Sequence, residues 1–244
     1  MNRIELINSI FEKTNFTTYL EIGAERGFSF LPIRCKNKIA VDPQFQISIT
    51  KKLKWLFRNP YNIGNNYFEE TSDAFFQNRK NFLMSAKQMD VILLDGLHTF
   101  RASLNDALNS LKYLNKNGII IMHDCLPPHK AAAMPTKYYP TAEEQKAEGW
   151  TDEWCGDVWK TIVYLRCNFT EYLDVFVLNT DYGLGIIRVK KEIDHNKLII
   201  DEKSFAEIDK IIYEDMIEKV EATLGLKSSE HSLKIIEEIS KKNA

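Results

Sequence analysis

Two short polar segments, 95–98 and 123–124, each follow a continuous apolar run of the sequence. Carboxylates and imidazoles bind divalent cations and transfer protons near neutral pH. Asp95 and Asp124 would repel each other at close range unless a cation, a proton or a base lay between them. We therefore expect a divalent metal held by Asp95, His123 and Asp124.

The two histidines influence what such a centre could do. Mg²⁺ usually binds one or two carboxylates and keeps several waters, which leaves room for a substrate oxygen. An imidazole ligand such as His123 shifts the preference toward Mn²⁺, Fe²⁺ or Zn²⁺. His98, with an ordinary pKa of about 6.5, is the candidate general base beside Asp95, the second candidate catalytic residue. Two alternatives stay open: strand alternation would point His123 away from Asp124, and His98 could be a helix-capping or packing residue.

A glycine turn follows the strand-like run at 17–22 and has the spacing acid-x-Gly-x-x-x-Gly, with Glu21, Gly23 and Gly27. This spacing differs from the G-x-G-x-x-G of a nicotinamide site. Glycines let the backbone approach a ligand closely, and Glu21 places negative charge nearby. Tight packing of a strand on the following helix is the alternative explanation.

Two further polar residues follow predicted strands. The Asp42 carboxylate can accept hydrogen bonds from both hydroxyls of a ribose, although Asp42-Pro43 is also a common turn pair. Ser72 and Asp73 would lie beside an adenine edge, although they are also good helix N-caps. Both interpretations of each residue stay open.

Hydrophobic periodicity divides the chain into alternating strands and helices. The predicted strands are 17–23, 38–41, 67–70, 90–95, 119–122, 174–178 and 185–189, and the predicted helices are 3–13, a short one after Gly27, 46–57, 73–86, 99–115 and 157–167, with further helices from 203 onward. This alternation indicates an α/β fold, a Rossmann-like doubly wound sheet whose strands are mostly parallel. Ligands of such sheets bind at the carboxyl ends of the strands, where all the polar residues named above lie.

Taken together, the segments 21–27, 41–43, 95–100 and 117–124 resemble the motifs of class I S-adenosylmethionine (SAM) methyltransferases. The resemblance covers roughly residues 17–190 and extends to the metal-dependent sugar O-methyltransferases, which carry an acid where this chain has His123. It implies an antiparallel edge hairpin in a seven-stranded sheet, and SAM as cofactor. The implied SAM-binding residues are Glu21, Gly23, Ala24, Gly27, Asp42, Ser72 and Asp95.

The function implied by the resemblance is methylation of a hydroxyl, of a sugar or related acceptor, with His98 removing the proton. A metal-dependent hydrolase or hydroxylase built on Asp95, His123 and Asp124 is one rival. A catalytically degenerate methyltransferase fold that serves as a binding partner is another. An NAD-dependent oxidoreductase is disfavoured by the glycine spacing.

Composition narrows the class of protein. The 244 residues carry a formal net charge of −2 without a dense Lys/Arg block, which argues against a nucleic-acid partner. We see no run long enough for a membrane span and no signal pattern. The four cysteines form no C-x-x-C pair, so we expect reduced, structural thiols and a cytoplasmic protein.

The turn-rich stretch 125–156 is long enough to be a functional lid. Its aromatic residues suit a sugar ring as well as they suit packing on the core; with a neighbour in the next helix they are Tyr138, Tyr139, Trp150, Trp154 and Trp159. We expect a methyltransferase domain at 1–192 that includes this loop. A helical extension at 193–244 would pack on the same domain or support a homo-oligomer.

Overall fold

Apolar runs bounded by polar residues or glycine form the strands of one sheet in the computed structural model, which describes residues 1–86 and 88–243. The central strands are buried on both faces, as parallel strands covered by helices must be. The strands are β1 (Thr18–Ile22), β2 (Asn37–Asp42), β3 (Asn66–Glu69), β4 (Met89–Leu94), β5 (Leu114–Met122), β6 (Leu173–Asn179), β7 (Leu184–Val189) and β8 (Lys227–Ser228).

The strand order is β3-β2-β1-β4-β5-β7-β6-β8. β1 pairs in parallel with β2 and β4, and β4 pairs in parallel with β5. β7 is antiparallel to both β5 and β6. The predicted doubly wound sheet with an antiparallel hairpin is therefore confirmed. The two-residue β8, parallel to β6, adds an eighth strand to the seven that were expected.

Helices cover both faces of the sheet. Within the described residues they are α1 (Arg3–Lys13), α2 (Ile49–Arg58), α3 (Ser72–Asn78), α4 (Lys80–Ser85), α5 (Phe100–Leu111), α6 (Trp159–Asn168), α7 (Glu202–Asp209), α8 (Tyr213–Glu218), α9 (Val220–Leu224) and α10 (His231–Asn243). None of the helices described is both long and apolar enough to cross a membrane.

The core lies in two layers, one on each side of the sheet. On one face α1 and α10 pack against each other, and α10 also contacts β5. On the other face α3, α5 and α6 bury residues such as Phe75, Leu104 and Trp159. α10 thus contributes to the same core as α1. The division of the chain at residue 192 stays a prediction.

The segment after β1 differs from its prediction, because Gly27 leads into a series of turns and not into a helix. Pro32 lacks a backbone donor. The carbonyls of Phe30 and Ile33 accept hydrogen bonds from the buried Lys38 ammonium group, at 2.9 and 3.0 Å. Side-chain donors therefore satisfy carbonyls that a helix would have paired along its own backbone.

Two predicted helices end earlier than expected. The helix at 73–86 breaks at Arg79 into α3 and α4. The helix at 99–115 ends as α5 at Leu111, and Leu114, which continued its apolar stripe, belongs to β5 and pairs with Met89. Gly118 explains the register of β5, since a Cβ there would lie 2.8 Å from the Asp90 carbonyl oxygen.

All four cysteines lie in the described part of the chain, and none forms a disulfide. Cys35, Cys125 and Cys155 are buried, whereas Cys167 is exposed. Burial raises the pKa of the Cys35 thiol to about 12. The three buried thiols therefore behave as small apolar groups.

Candidate active site

Five parallel strands end at the same edge of the sheet, and the predicted site residues follow them there. Gly23, directly after β1, has φ +86°, and a Cβ on it would lie 1.9 Å from the Asp95 carbonyl oxygen after β4. Glycine is therefore required where the two strand ends touch. This contact places the glycine loop beside the D-G-x-H segment.

The glycine loop is held by the neighbouring strand as well as by its own turn. The Gly23 amide donates to the Val41 carbonyl at 2.9 Å. Gly27 has φ +67°, and a Cβ there would meet the side chains of Ile47 and Leu31. Ala24, between the glycines, is buried. Both glycines are thus explained by packing within the protein, which is compatible with a ligand above the loop but does not require one.

The Asp42 carboxylate, at the end of β2, is buried and binds backbone amides. One oxygen accepts from Glu25 at 2.8 Å and the other accepts from Gln44 at 2.8 Å. Asp42 therefore fixes the glycine loop to its own turn. Each carboxylate oxygen keeps a second lone pair, so the group can still accept hydrogen bonds from ribose hydroxyls.

Glu21 lies beneath the loop and is completely buried. It accepts hydrogen bonds from the Tyr19 hydroxyl and the Ser29 hydroxyl, both at 2.6 Å. Burial raises the pKa of Glu21 to about 7, and these two donors only partly oppose the shift. Both carboxylate oxygens of Glu21 are therefore bound by hydroxyl groups of the protein itself.

Ser72 is the first residue of α3, and the helix N-cap is Thr71, whose hydroxyl accepts from the Ala74 amide. Ser72 instead donates to the carboxylate of Asp106 on α5. Asp106 is buried, and its Oδ1 has no hydrogen-bond partner within the described residues. Burial raises the pKa of Asp106 to about 7. No sequence pattern indicated this acid, because it lies on the buried face of a helix.

Asp95, His98 and Asp124 form a group of possible metal ligands, with one atom from each lying within 4.8 Å of the other two. His98 Nε2 lies 3.2 Å from Asp124 Oδ2 and 3.7 Å from Asp95 Oδ1. Sequence reasoning placed His123 in this set and gave His98 the role of base. In the structure it is His98 that shares this group with the two carboxylates.

The protonation of His98 follows from its two contacts. Nδ1 lies 2.9 Å from the Trp154 carbonyl, which can only accept, so Nδ1 carries a proton. Nε2 then faces the two carboxylates. Burial lowers the pKa of His98, but the hydrogen bond to Asp95 and the charge of Asp124 outweigh it and raise the pKa overall. Either a proton on Nε2 or a cation bound between Nε2 and the carboxylates would balance the negative charge of Asp95 and Asp124.

His123 points toward Asp124, not away from it. Asp124 has φ +61°, a left-handed conformation that ends the alternation of β5. As a result the Nδ1 atom of His123 lies 2.9 Å from Asp124 Oδ2 and 3.3 Å from Asp95 Oδ1. The strained backbone therefore brings both residues to the same cluster.

Arg3 and Asp181 complete the cluster and were missed by sequence reasoning. The Arg3 guanidinium lies 2.9 Å from Asp181 Oδ1 and 2.8 Å from His123 Nε2. The neighbouring carboxylates outweigh burial and raise the pKa of His123. A guanidinium can only donate, however, so we assign the neutral ring, with the proton on Nδ1 directed at Asp124.

Topology could have indicated both missed residues. The turn between β6 and β7 lies at the carboxyl edge of β5, because β7 is antiparallel to β5. Asp181 is in that turn. Arg3 is at the start of the helix that precedes β1, and such a helix begins near the edge where β1 ends.

An aromatic wall borders the cluster on the side of the long loop. The ring of Trp154 lies 5.0 Å from that of His98, and Tyr139 lies 5.9 Å from Trp154. Trp150 contacts Tyr139 at 6.3 Å. Tyr138 is largely exposed in the same loop. Three of the five aromatic residues noted in the sequence are therefore connected to His98 by successive ring contacts.

Trp159 is the exception. It is buried in α6 and borders a separate cavity of about 710 Å³ between the long loop and α8.

The long loop at 125–156 is fixed at both ends. Cys125 and Leu126 donate backbone hydrogen bonds to the turn at 182–183, and a Cβ on Gly156 would lie 2.0 Å from the His98 carbonyl oxygen.

Comparison with known proteins agrees with this architecture. Residues 20–125 match the family model described as a methyltransferase domain. No curated protein matches the chain. The solved structure of the O-methyltransferase TomG from Streptomyces achromogenes, involved in tomaymycin synthesis and in complex with SAM, gives a TM-score of 0.56 at 10% identity, over 77% of this chain and 79% of that one.

Cofactor-bound Rv0187 from MTB gives a TM-score of 0.53 at 12% identity, over 79% of this chain and 82% of that one. Likeness at such low identity concerns the fold alone. The family match is more specific, because residues 20–125 include the glycine loop, Asp42 and both polar segments at the ends of β4 and β5. Residues 20–125 are therefore similar to the methyltransferase domain, in a fold shared with the solved O-methyltransferase structure.

Proposed function

We propose that the protein transfers the methyl group of SAM to a hydroxyl of a small polar acceptor, a sugar or a related polyol, beside a divalent cation. The observation that carries the proposal is the convergence of Asp95, His98 and Asp124 next to the glycine loop. The donor loop and the candidate ion site share the wall formed by Gly23 and the Asp95 backbone.

On the donor side, SAM supplies an electrophilic methyl group on a sulfonium. Asp42 would hold the ribose hydroxyls through its remaining lone pairs. The glycine loop would lie under the methionine part, and the Glu21 carboxylate beneath it, when ionised above its pKa of about 7, favours a cation. Ser72, backed by Asp106, is the candidate for the adenine edge. In-line transfer then depends mainly on positioning.

On the acceptor side, two carboxylates and one imidazole suit Mn²⁺ or Mg²⁺. Such a cation would lower the pKa of a neighbouring hydroxyl. His98 would serve as its ligand, with Nδ1–H held by the Trp154 carbonyl in the tautomer that leaves Nε2 free. Without a cation, His98 would be the proton acceptor. Tyr139 and Trp154 offer faces against which a sugar ring could pack.

Calorimetry with SAM and S-adenosylhomocysteine tests the donor site, since the proposal requires micromolar binding of at least one of them. Transfer to a panel of sugars, with and without EDTA, tests the cation. Activity that EDTA abolishes and Mn²⁺ or Mg²⁺ restores is expected. Unchanged activity in EDTA would remove the cation and return His98 to the role of base.

Two variants sharpen this test. Asp124→Asn should lose stimulation by the added metal, whereas Asp152→Asn should keep it. Asp152 is a fair control because it is exposed and has the same φ of +61°. Failure to bind SAM at all would instead favour a binding protein with a degenerate methyltransferase fold, or a hydrolase that uses the acidic cluster.

A further inference from the structure

The helix α2 presents its apolar side to solvent. Ile49, Leu53 and Phe57 recur every four residues and are 77%, 52% and 90% exposed. A surface helix normally turns such a stripe toward the core. No residue of α2 is buried. The apolar stripe is therefore available to a partner outside the described chain.

The side of α2 that faces the protein combines Trp55, which packs on the core, with two lysines. The Lys51 ammonium group donates to the Arg26 carbonyl at 2.6 Å and lies 4.0 Å from the centre of the Phe28 ring. The Lys52 ammonium group lies 3.9 Å from the centre of the Tyr67 ring. These contacts fix the orientation of the helix, so its apolar stripe stays outward.

Positive charge surrounds the stripe. α2 contains Lys51, Lys52, Lys54 and Arg58 and no acidic residue. At about 100° per residue, Lys52 and Lys54 lie on opposite sides of Leu53. None of these four cations forms an ion pair with a carboxylate among the described residues. The chain as a whole has a net charge of −2, so this basic helix is a local feature.

We propose that α2 docks on an anionic lipid surface, with Ile49, Leu53 and Phe57 inserted among the lipids. An apolar stripe bordered by lysine and arginine is the pattern of a helix that lies in a membrane interface. Lys54 and Arg58 would then reach lipid phosphates.

A second copy of the chain fits this face less well. Two α2 helices packed together would bring Lys54 and Arg58 of both copies close to one another without an acidic residue from either helix. The apolar stripe would favour such a dimer and the charge would oppose it, whereas an anionic lipid surface is favoured by both. Docking places the surface next to the glycine loop, since Gln46, just before α2, donates to the Glu25 carbonyl at 3.0 Å.

Sedimentation of the full chain with vesicles tests the proposal. Binding to vesicles of phosphatidylcholine with phosphatidylglycerol is expected, with much weaker binding to pure phosphatidylcholine and loss of binding in high salt. The double variant Leu53→Ser/Phe57→Ser should bind at least about tenfold more weakly. The matched control Ile199→Ser/Leu233→Ser, which removes two other exposed apolar residues, should bind like the wild type.

Lys54→Glu/Arg58→Glu should weaken binding to the anionic vesicles by about tenfold or more. Circular dichroism checks that each variant is folded. We expect folding to be preserved because the substituted residues are exposed. The proposal is overturned if the wild-type chain does not sediment with anionic vesicles. It is also overturned if light scattering shows a dimer that Leu53→Ser/Phe57→Ser dissociates while vesicle binding is unaffected by that change.

Discussion

Gly23 occupies a place where no other residue fits, because the Asp95 carbonyl oxygen fills the position of a Cβ. The acid-x-Gly-x-x-x-Gly spacing pointed to this residue from the sequence. Its strongest constraint, however, is a contact between two loops that are about 70 residues apart in the chain. Arg3 and Asp181 show the same limit, because neither belongs to a motif and only the topology brings them to His123.

Gly23→Ala should destabilise the protein far more than Gly64→Ala. Both glycines have φ +86°, but nothing lies within 4 Å of a Cβ on Gly64. The loss of stability in Gly64→Ala therefore measures the cost of placing alanine at a positive φ, of order 1–3 kcal/mol. The additional loss in Gly23→Ala measures the clash of its Cβ with Asp95. Urea denaturation gives both values. Equal losses in the two variants would contradict the contact.

Glu21 should make stability depend on pH. Its pKa is about 7 in the folded chain against 4.5 ordinarily, so the native state binds more protons than the unfolded state between these values. The free energy of unfolding therefore falls as the pH rises through this window, by at most roughly 3 kcal/mol.

Glu21→Gln should remove this loss. Its stability relative to the wild type should increase when denaturation at about pH 8 is compared with denaturation at about pH 5. Glu12→Gln, a change at an exposed site, should show no such increase. A parallel pH profile for wild type and Glu21→Gln would mean that the Glu21 carboxylate is ionised in the fold.

Among the elements, strands were easier to predict than helices. Every residue of β1 and β4 is buried, and a short continuous apolar run of this kind predicts a central strand. Helices depended on contacts that periodicity does not report. The Lys38 ammonium group donates to a carbonyl of the turns after Gly27, which replaces a helical hydrogen bond there. Leu114 continues the apolar stripe of α5 in the sequence, but in the structure it pairs with Met89 as part of β5.

The long loop should contribute to acceptor binding through its aromatic wall. Trp154→Leu removes the ring beside His98 but keeps the backbone carbonyl that holds the imidazole. We expect the KM for a sugar acceptor to rise roughly threefold to tenfold, with the Kd for SAM unchanged. Trp150→Leu, whose ring contacts Tyr139 but not His98, should have a smaller effect on KM. Identical KM values would remove Trp154 from the acceptor site.

On the scale of the whole molecule, the C-terminal helices are part of one core. Ile235, Ile236 and Ile239 of α10 are buried with the apolar side of α1. α1 in turn carries Arg3 to the polar cluster at the carboxyl edge. The sequence predicted that α10 is amphipathic, but it could not name the surface that α10 covers.

Ile236→Ala should therefore lower the free energy of unfolding by about 2–4 kcal/mol, with a single transition for the entire chain. Leu233→Ala, on the exposed side of the same helix, should change it by less than about 0.5 kcal/mol. Denaturation followed by circular dichroism and by tryptophan fluorescence measures both. Two separate transitions in the wild type would show that α10 folds independently of the sheet.

The fixation of the long loop at both ends has a consequence for turnover. Backbone hydrogen bonds join the start of the loop to the turn at 182–183. The end of the loop packs closely against the His98 carbonyl group at Gly156. Movement of the long loop during turnover should therefore be confined to its middle, around Tyr139. Rearrangement of a few aromatic side chains there, rather than a rigid-body movement, would then control the entry of an acceptor.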